Sequence, residues 1–551
     1  MNNKKCSAPP TETVDVLIVG YGPVGAALAA LLGRHGVDTL VVDKNHDILL
    51  MPRAIALDNE ALRILQLAGL AEDAFDKIVI PEVRMHCTVL GQFARANTTG
   101  CIDGHPKLVT FYQPDLERAL REQVAQLASV TSLGGLELES FAEEQDCIIA
   151  LLRDAEGQSH RVRARYLIGA DGASSRVRGL IGQDFGGHTY AEDWLIVDAG
   201  NRERVAIDHV EFHCDPRRPT PHMPAPGGRE RWEFMLQPGE TRERMESPES
   251  IARLMAPWID ARDLQIERKA VYRFHARCCE RFSKGRVFLV GDAAHITPPF
   301  VGQGLVAGLR DVANLGWKLA WVLRGQASSA ILESYDTERR PHAKAMIDMA
   351  KFMGRLVMPR NRLSAVLIHG LMRALALTPA TRRYFEELEI KPRNAFARGL
   401  FAPRRRGERL IRGGLFPQAW VRTARQEVQL SDAALGDQLT LVGFDVDPLT
   451  LLSAEQIEAW TRAGGGFLHL AARGKGAGAS QAFAEDLNHA ILPLAPRGTL
   501  VAVRPDRHIM HHGPATQADD LMRTCLALLG SPDCTDQGVC FTIAEPPRMS
   551  A

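Results

Sequence analysis

The chain has 551 residues, 45% hydrophobic and 24% charged, with Lys plus Arg equal to Asp plus Glu at 66 each. That length exceeds one ordinary core and predicts roughly two or three domains. The zero formal net charge speaks against a nucleic-acid binder. No apolar run reaches the roughly 18 residues of a membrane span, and the N-terminus has no apolar signal-peptide core, so a cytoplasmic protein without membrane partners is expected. The ten cysteines include no C-x-x-C, which predicts reduced thiols and neither a zinc site nor a disulfide framework.

Residues 1–13 read as a disordered leader. Val14 to Asp43 then reads as strand, glycine turn, helix and second strand, the apolar run Val14–Val19 leading into Gly20, Gly22 and Gly25. In G-x-G-x-x-G the first glycine permits the turn, the second lets backbone approach a pyrophosphate, and the third lets helix and strand pack closely. The bare N–H groups of the helix start favour a diphosphate. Asp43, 18 positions after Gly25, stands where a carboxylate meets a ribose. A dinucleotide site is therefore expected, and an ordinary βαβ turn is the plainer alternative.

Helical spacing covers Ala56 to Leu67, with Arg53 just ahead of it as either a loop charge or a phosphate partner. Residues 80–110 are strand-like. Gln113 stands before a helix expected over Leu116–Leu127, with Asp115 as its N-cap. Two antiparallel strands are expected over Glu137–Leu152 and His160–Leu167, and a strand from Tyr166 to Ala170 returns to the first sheet and ends in Asp171-Gly172. From Phe185 to Arg273 the alternation of Val210, Phe212 and Cys214, and of Trp232, Phe234 and Leu236, predicts a sheet with one covered face. The proline-rich D-P-R-R-P-T-P-H-M-P-A-P-G-G reads as a separator between its strands. A third turn, Gly291-Asp292 after strand Val287–Val290, leads through Pro298 to Gly302 and Gly304 and into a helix expected over Leu305–Leu323. His295 in that turn reads as a structural hydrogen-bonder before a catalytic base. Beyond about residue 400, strand and helix patterns alternate as in a small α/β domain, in which Gly474, Gly476 and Gly478 read as a loop.

These motifs in this order, G-Y-G-P-V-G with Asp43, then A-D-G at 170–172, then G-D-A-A-H with Pro298 and Gly302-Gln303-Gly304, resemble the single-component FAD-dependent aromatic hydroxylases. The strings M-P-R-A, Y-Q-P-D-L-E, C-D-P-R-R-P, R-W-E-F-M-L and V-Y-R-F-H-A are most similar to the 3-(3-hydroxyphenyl)propionate and 3-hydroxycinnamate hydroxylase branch. The resemblance implies an α/β protein: a Rossmann-type FAD-binding domain in three parts (14–80, 111–184 and 276–400), an inserted antiparallel-sheet substrate domain (81–110 and 185–275), and a thioredoxin-like C-terminal α/β domain (401–551). The last lacks C-x-x-C, so packing or homodimer contacts are its expected role.

By the same resemblance Gly20, Gly22, Pro23 and Gly25 cradle the ADP diphosphate, and Asp43 with its neighbour Lys44 meets the adenosine ribose. Arg53 and Gln113 reach the diphosphate and ribityl region, Asp171 belongs to the turn shared with the pyridine nucleotide, and Gly291-Asp292 holds ribityl oxygens. Pro298, Gly302 and Gly304 lie along the isoalloxazine. The implied reaction uses NADH or NADPH and O2, through a flavin C4a-hydroperoxide, to hydroxylate a phenolic acid ortho to its hydroxyl. The cofactor supplies the hard steps, and the protein excludes water and helps the phenol lose a proton. Tyr272 and His275 are the leading candidates for that help, with His209 and His213 behind them. For the substrate carboxylate Arg217, Arg218, Arg231 and Arg273 are unranked. A related monooxygenase acting on a polycyclic or antibiotic aromatic, and a non-catalytic flavin-binding protein, are the competing readings.

Overall fold

Val16, Leu17 and Ile18 are fully buried in the strand Glu12–Val19. This strand pairs in parallel with Thr39–Asp43 on one side and Ser159–Gly169 on the other. The described residues of this computed structural model are 12–200, 207–259, 265–359, 361–387, 389–405, 407–475 and 482–530. The leader expected over 1–13 thus lies outside them up to residue 11, and Glu12 and Thr13 already belong to the strand. The chain divides into a first unit, Met1–Trp317 with Tyr335–Phe396, and a second, Lys318–Ser334 with Ala397–Ala551.

In the first unit one sheet runs in the order Val130–Gly134, Thr39–Asp43, Glu12–Val19, Ser159–Gly169, Ile148–Arg153, Glu137–Glu143, and Val287–Leu289 pairs in parallel with the end of Ser159–Gly169. The register decides what this sheet can do. Val19 stands opposite both Val42 and Gly169, and Gly169 stands opposite Leu289, so these strands end level with one another. The turns that follow them, at Gly20, Asp43, Ala170-Asp171 and Gly291-Asp292, therefore lie side by side along one carboxyl edge, the edge where open α/β sheets bind ligands.

The second sheet of this unit contains Phe185–Gly200, flanked by Gln265–Cys279 and Arg229–Met235, then Thr220–Ala225, Val210–His213, Glu82–Cys87 and Gly91–Asn97. Both of its faces are packed, against the expectation of one. Trp194 and Ile196 enter one apolar cluster with Phe300, Leu356 and Val357. Leu195, Val197 and Ala199 enter another with Trp232, Phe234, Ile251 and Met255. Alternation here separates two cores, because the helix Pro248–Met255 covers the Trp232 and Phe234 face as expected, while Phe300, Leu356 and Val357 pack on the opposite face, the one expected to meet solvent. The proline-rich separator is likewise a buried strand, Thr220–Ala225, with Pro221 opposite Phe212 and Pro224 opposite Glu230. Burial along its whole length outweighs the turn preference of proline.

Smaller differences have local causes. Ala56–Asp58 is a strand against Leu108–Phe111, and the helix starts only at Asn59 because Asp58 caps it through Ala61 N–H. Asp115 is not an N-cap. Its helix runs Gln113–Ala125 from Tyr112, with Pro114 in the first turn where its missing N–H costs nothing.

The second unit is a mixed sheet in which Leu439–Phe444, Gly465–Ala472 and Phe483–Asp486 run parallel, with Thr499–Val503 and Ile509–Pro514 antiparallel beside them. Its core is built on Val442, Phe444, Leu468, Val501 and Val503, and it carries the helices Ala454–Arg462 and Ala518–Leu529. Gly476 and Gly478 lie outside the described residues.

Two packed faces carry a consequence for Ile196, which lies on the Glu233 side and is 5% exposed. Ile196→Asp is expected to cost more than about 4 kcal/mol in a urea titration, the range of a buried unpaired charge. A solvated face would hold the change within about 0.5 kcal/mol.

Candidate active site

Gly20 has φ +107°, and a Cβ there would stand 2.4 Å from Ala170 O, so the first turn rests directly on the second. A Cβ at Gly25 would stand 2.0 Å from Gly20 O, which holds the helix Pro23–Arg34 tight against the turn. Around Gly22 nothing lies within 4 Å of a Cβ position. Its backbone, one residue ahead of Pro23 and the helix start, is open to a diphosphate. Asp43 is aimed by accepting from Tyr21 N at 2.8 Å and Asn45 N at 2.8 Å, while Lys44 next to it is exposed.

The Asp171 carboxylate caps the following helix, accepting from Ser175 Oγ at 2.5 Å, Arg176 N at 2.7 Å and Val177 N at 3.0 Å. From that helix Arg178 donates to Ala293 O at 3.0 Å and to Ala173 O at 2.8 Å, tying the second turn to the third.

The third turn is held from below by Asp311, which is fully buried. Its carboxylate accepts from Gly291 N at 3.0 Å, His295 Nε2 at 2.7 Å and Arg339 Nε at 2.9 Å. His295 is thus a structural partner of Asp311. Asp292, on the same turn, has a half-exposed carboxylate with no hydrogen bond among the described residues, only Arg53 Nη1 at 4.0 Å. Burial raises its pKa, and Arg53, His295 and Arg178 partly offset that. An acceptor left open at this position suits a polyol hydroxyl.

Arg53 rides on a loop clamped from two sides. Gln113 Oε1 accepts from Arg53 N and Ala54 N, each at 2.9 Å. Arg231 donates to Arg53 O and Pro52 O, each at 3.0 Å, and Arg268 also reaches Pro52 O. Both guanidiniums are anchored on buried Asp198, at 2.6 Å from Arg231 Nε and 2.9 Å from Arg268 Nη1. The turn from Pro298 to Gly304 has its own clamp. Arg310 binds Gln303 Oε1 at 2.9 Å, Asp58 at 2.8 Å and Glu60 at 2.6 Å, and Lys391 joins Asp58 at 2.7 Å. Phe300 on this turn meets the rings of Tyr190, Trp194 and Phe274 at 5.8, 6.0 and 5.8 Å. The turn and the inner face of the second sheet therefore share one aromatic wall.

Strand alternation sorts the proposed catalytic groups. Tyr272 stands opposite Trp194 and packs with Phe274 into that wall, its hydroxyl accepting from Arg268 Nη2 at 2.8 Å. His275 falls on the other face with Arg273 and Arg277 and is paired with Thr189 Oγ1 at 3.0 Å, so it does not face the wall. His213 meets Trp258 on the far face, and His209 is tied to Asp208 and Arg84. Of the arginines considered for a carboxylate, Arg218 is bound to Glu240, Arg231 to Asp198 and Arg273 to Asp193, and Arg217 is exposed.

The clamps were missed in the sequence. Their signal was charge inside apolar runs, Arg310-Asp311 in the helix Gly304–Leu323 and Asp198 in the strand Phe185–Gly200.

The residues fit a flavin dinucleotide, and the comparisons agree. A family model described as an FAD binding domain matches residues 13–350, and one described as the HcaD C-terminal domain matches 413–528. The 3-(3-hydroxy-phenyl)propionate/3-hydroxycinnamic acid hydroxylase of Burkholderia cenocepacia (strain HI2424) is 36% identical over 513 residues, 90% of this chain and 93% of that one. The chain belongs to the FAD-dependent aromatic hydroxylases. A hydroxylase of the same description from Escherichia coli (strain K12) is 36% identical over 461 residues, 83% of each chain. Among solved structures, the flavin-dependent monooxygenase PieE in complex with FAD and substrate superposes with TM-score 0.79 at 22% identity, covering 95% of this chain and all of that one. Aklavinone-11 hydroxylase with FAD and aklavinone superposes with TM-score 0.74 at 22% identity, covering 94% of this chain and all of that one.

The Asp58 clamp is expected to weaken in acid. Burial pushes the Asp58 carboxyl up, and Lys391 and Arg310 outweigh it, so its pKa lies below the ordinary value. A depressed folded pKa stabilises above the unfolded value near 3.9 and is lost as pH falls through the folded one. Asp58→Asn is expected to cost about 3 kcal/mol at neutral pH. Urea midpoints of the two proteins should converge as pH falls below about 4.

Proposed function

We propose that this hydroxylase inserts one oxygen ortho to the hydroxyl of a phenolic acid, 3-(3-hydroxyphenyl)propionate or 3-hydroxycinnamate, using NADH or NADPH and O2 in the cytoplasm. The observation that carries this reading is the likeness, along almost the whole chain, to hydroxylases described as acting on those acids. Homodimer contacts through the C-terminal domain form part of the same proposal. FAD, when bound, supplies hydride acceptance from the nicotinamide and the electrophilic oxygen.

The residues have separate tasks in this reading. Gly20, Gly22, Pro23 and Gly25 seat the diphosphate, with Asp43 and Lys44 at the ribose. Arg53, positioned by Gln113, Arg231 and Arg268, supplies an exposed positive charge beside Asp292, which accepts from the ribityl chain. Asp171 holds its helix so that Arg178 can brace the third turn. The N-terminus of the helix Gly304–Leu323, just past Gly302, places its dipole where the flavin ring gains negative charge. Trp194, Phe274 and Phe300 form an apolar wall that keeps water from the reacting ring, so that reducing equivalents go to product and not to H2O2. Tyr272 on that wall orients the phenol.

Purified holoprotein should oxidise NADH or NADPH faster when 3-(3-hydroxyphenyl)propionate is added, and the product should carry one more oxygen by mass. No stimulation by any member of a panel of hydroxylated phenylpropanoids would reject the reading.

A further inference from the structure

We propose that Glu233 is the base that receives the substrate's phenolic proton, a role that rests on the phenolic-acid reading above. Glu233 stands opposite Ile196 on the strand Arg229–Met235, between Arg231 and Met235, which point to the same face. Ile196 stands in turn opposite Ala270, so the row across the sheet is Glu233, Ile196, Ala270. One neighbouring row is Met235, Trp194 and Tyr272, part of the aromatic wall. The other is Arg231, Asp198 and Arg268, the clamp on the Arg53 loop. The carboxylate thus sits where the apolar wall meets the ionic clamp.

Glu233 is 8% exposed, and among the described residues no hydrogen bond or salt bridge reaches it. A buried carboxylate without a partner is expensive unless something outside the protein completes it. The charged and titratable groups on its face are already engaged. Arg231 and Arg268 are bound to Asp198 and to backbone of the loop, and Tyr272 accepts from Arg268. Burial raises the Glu233 pKa, Arg231 works against that, Asp198 adds to it and Arg268 subtracts. A carboxylate whose pKa is raised is a better match for a phenol near 10 than an ordinary one near 4.

The transfer balances simply. The phenolic O–H bond breaks, its electron pair stays on the ring oxygen, and the proton bonds to a Glu233 carboxylate oxygen before passing to solvent. The ring carbon ortho to that oxygen becomes electron-rich, which is what the electrophilic oxygen of the hydroxylation requires.

The test compares wild type, Glu233→Gln and Glu233→Asp as holoenzymes. In E233Q the nicotinamide should reduce the flavin as in wild type, while hydroxylated product falls about 10²-fold, a usual size for a lost general base. The deficit should shrink for ring-fluorinated substrates, whose hydroxyls ionise more easily. E233D, with its carboxylate drawn back by one methylene, should fall between the two. A second readout needs no turnover: a nitrophenol analogue bound to the oxidised protein should form its phenolate at lower pH in E233Q, because a neighbouring negative charge is gone. Should E233Q take up no flavin, E233D carries the comparison with the same readouts. Unchanged product yield in the variants, or an unchanged titration of the bound analogue, overturns the role of Glu233. Wild type that hydroxylates no phenolic acid would instead overturn the functional reading, which keeps the two failures apart.

Discussion

Strand ends that finish level are the constraint on which everything else in this hydroxylase depends. With Val19 opposite Gly169 and Gly169 opposite Leu289, segments more than a hundred residues apart place their turns next to each other at one sheet edge. Backbone hydrogen bonding alone does this. A slip of one residue in the Val287–Leu289 pairing would turn its side chains to the opposite layer and carry Asp292 away from Arg53.

Level ends are not sufficient, because glycine turns are soft. The fold stiffens three segments at this edge with buried ionic groups. Asp311 holds the Gly291–His295 turn, Arg310 with Asp58 and Glu60 holds the turn around Gln303, and Asp198 with Arg231 and Arg268 holds the loop of Arg53. Desolvating such groups cancels most of their mutual attraction, so they are weak sources of net stability. Their effect is geometric. Each carboxylate accepts from several donors at once and admits few arrangements. The groups beside them without a hydrogen bond among the described residues, Asp292 and Glu233, are the ones proposed to meet cofactor and substrate.

Local backbone chemistry was readable in the sequence, and distant packing was not. The turn at Gly20, Gly22 and Gly25 is legible because Gly20 and Gly25 each answer a contact made within a few residues or with the adjacent strand, and Gly22 leaves backbone open between them. The return of Tyr166–Ala170 to the first sheet was legible from its apolar run and its turn. The strand Thr220–Ala225 was hidden because its prolines argue for a loop and only its neighbours bury it. His275 and Tyr272 look equivalent in the sequence, and strand parity sends them to opposite faces. Glu233 has no visible role within R-W-E-F-M-L, since Trp232 and Phe234 beside it read as the covered face and Glu233 as the wet one. The helix Pro248–Met255 does cover the Trp232 side, but Phe300, Leu356, Val357 and the loop held by Arg231 cover the Glu233 side as well.

The measurement that bears most directly on this account is a crystal structure of the protein with FAD. The account predicts the diphosphate against Gly22, the ribityl chain at Asp292 and the ring system along Pro298 to Gly304. The pairing of Val19, Gly169 and Leu289 should be unchanged. Flavin seated elsewhere, or entering only after those strand ends part, would contradict it.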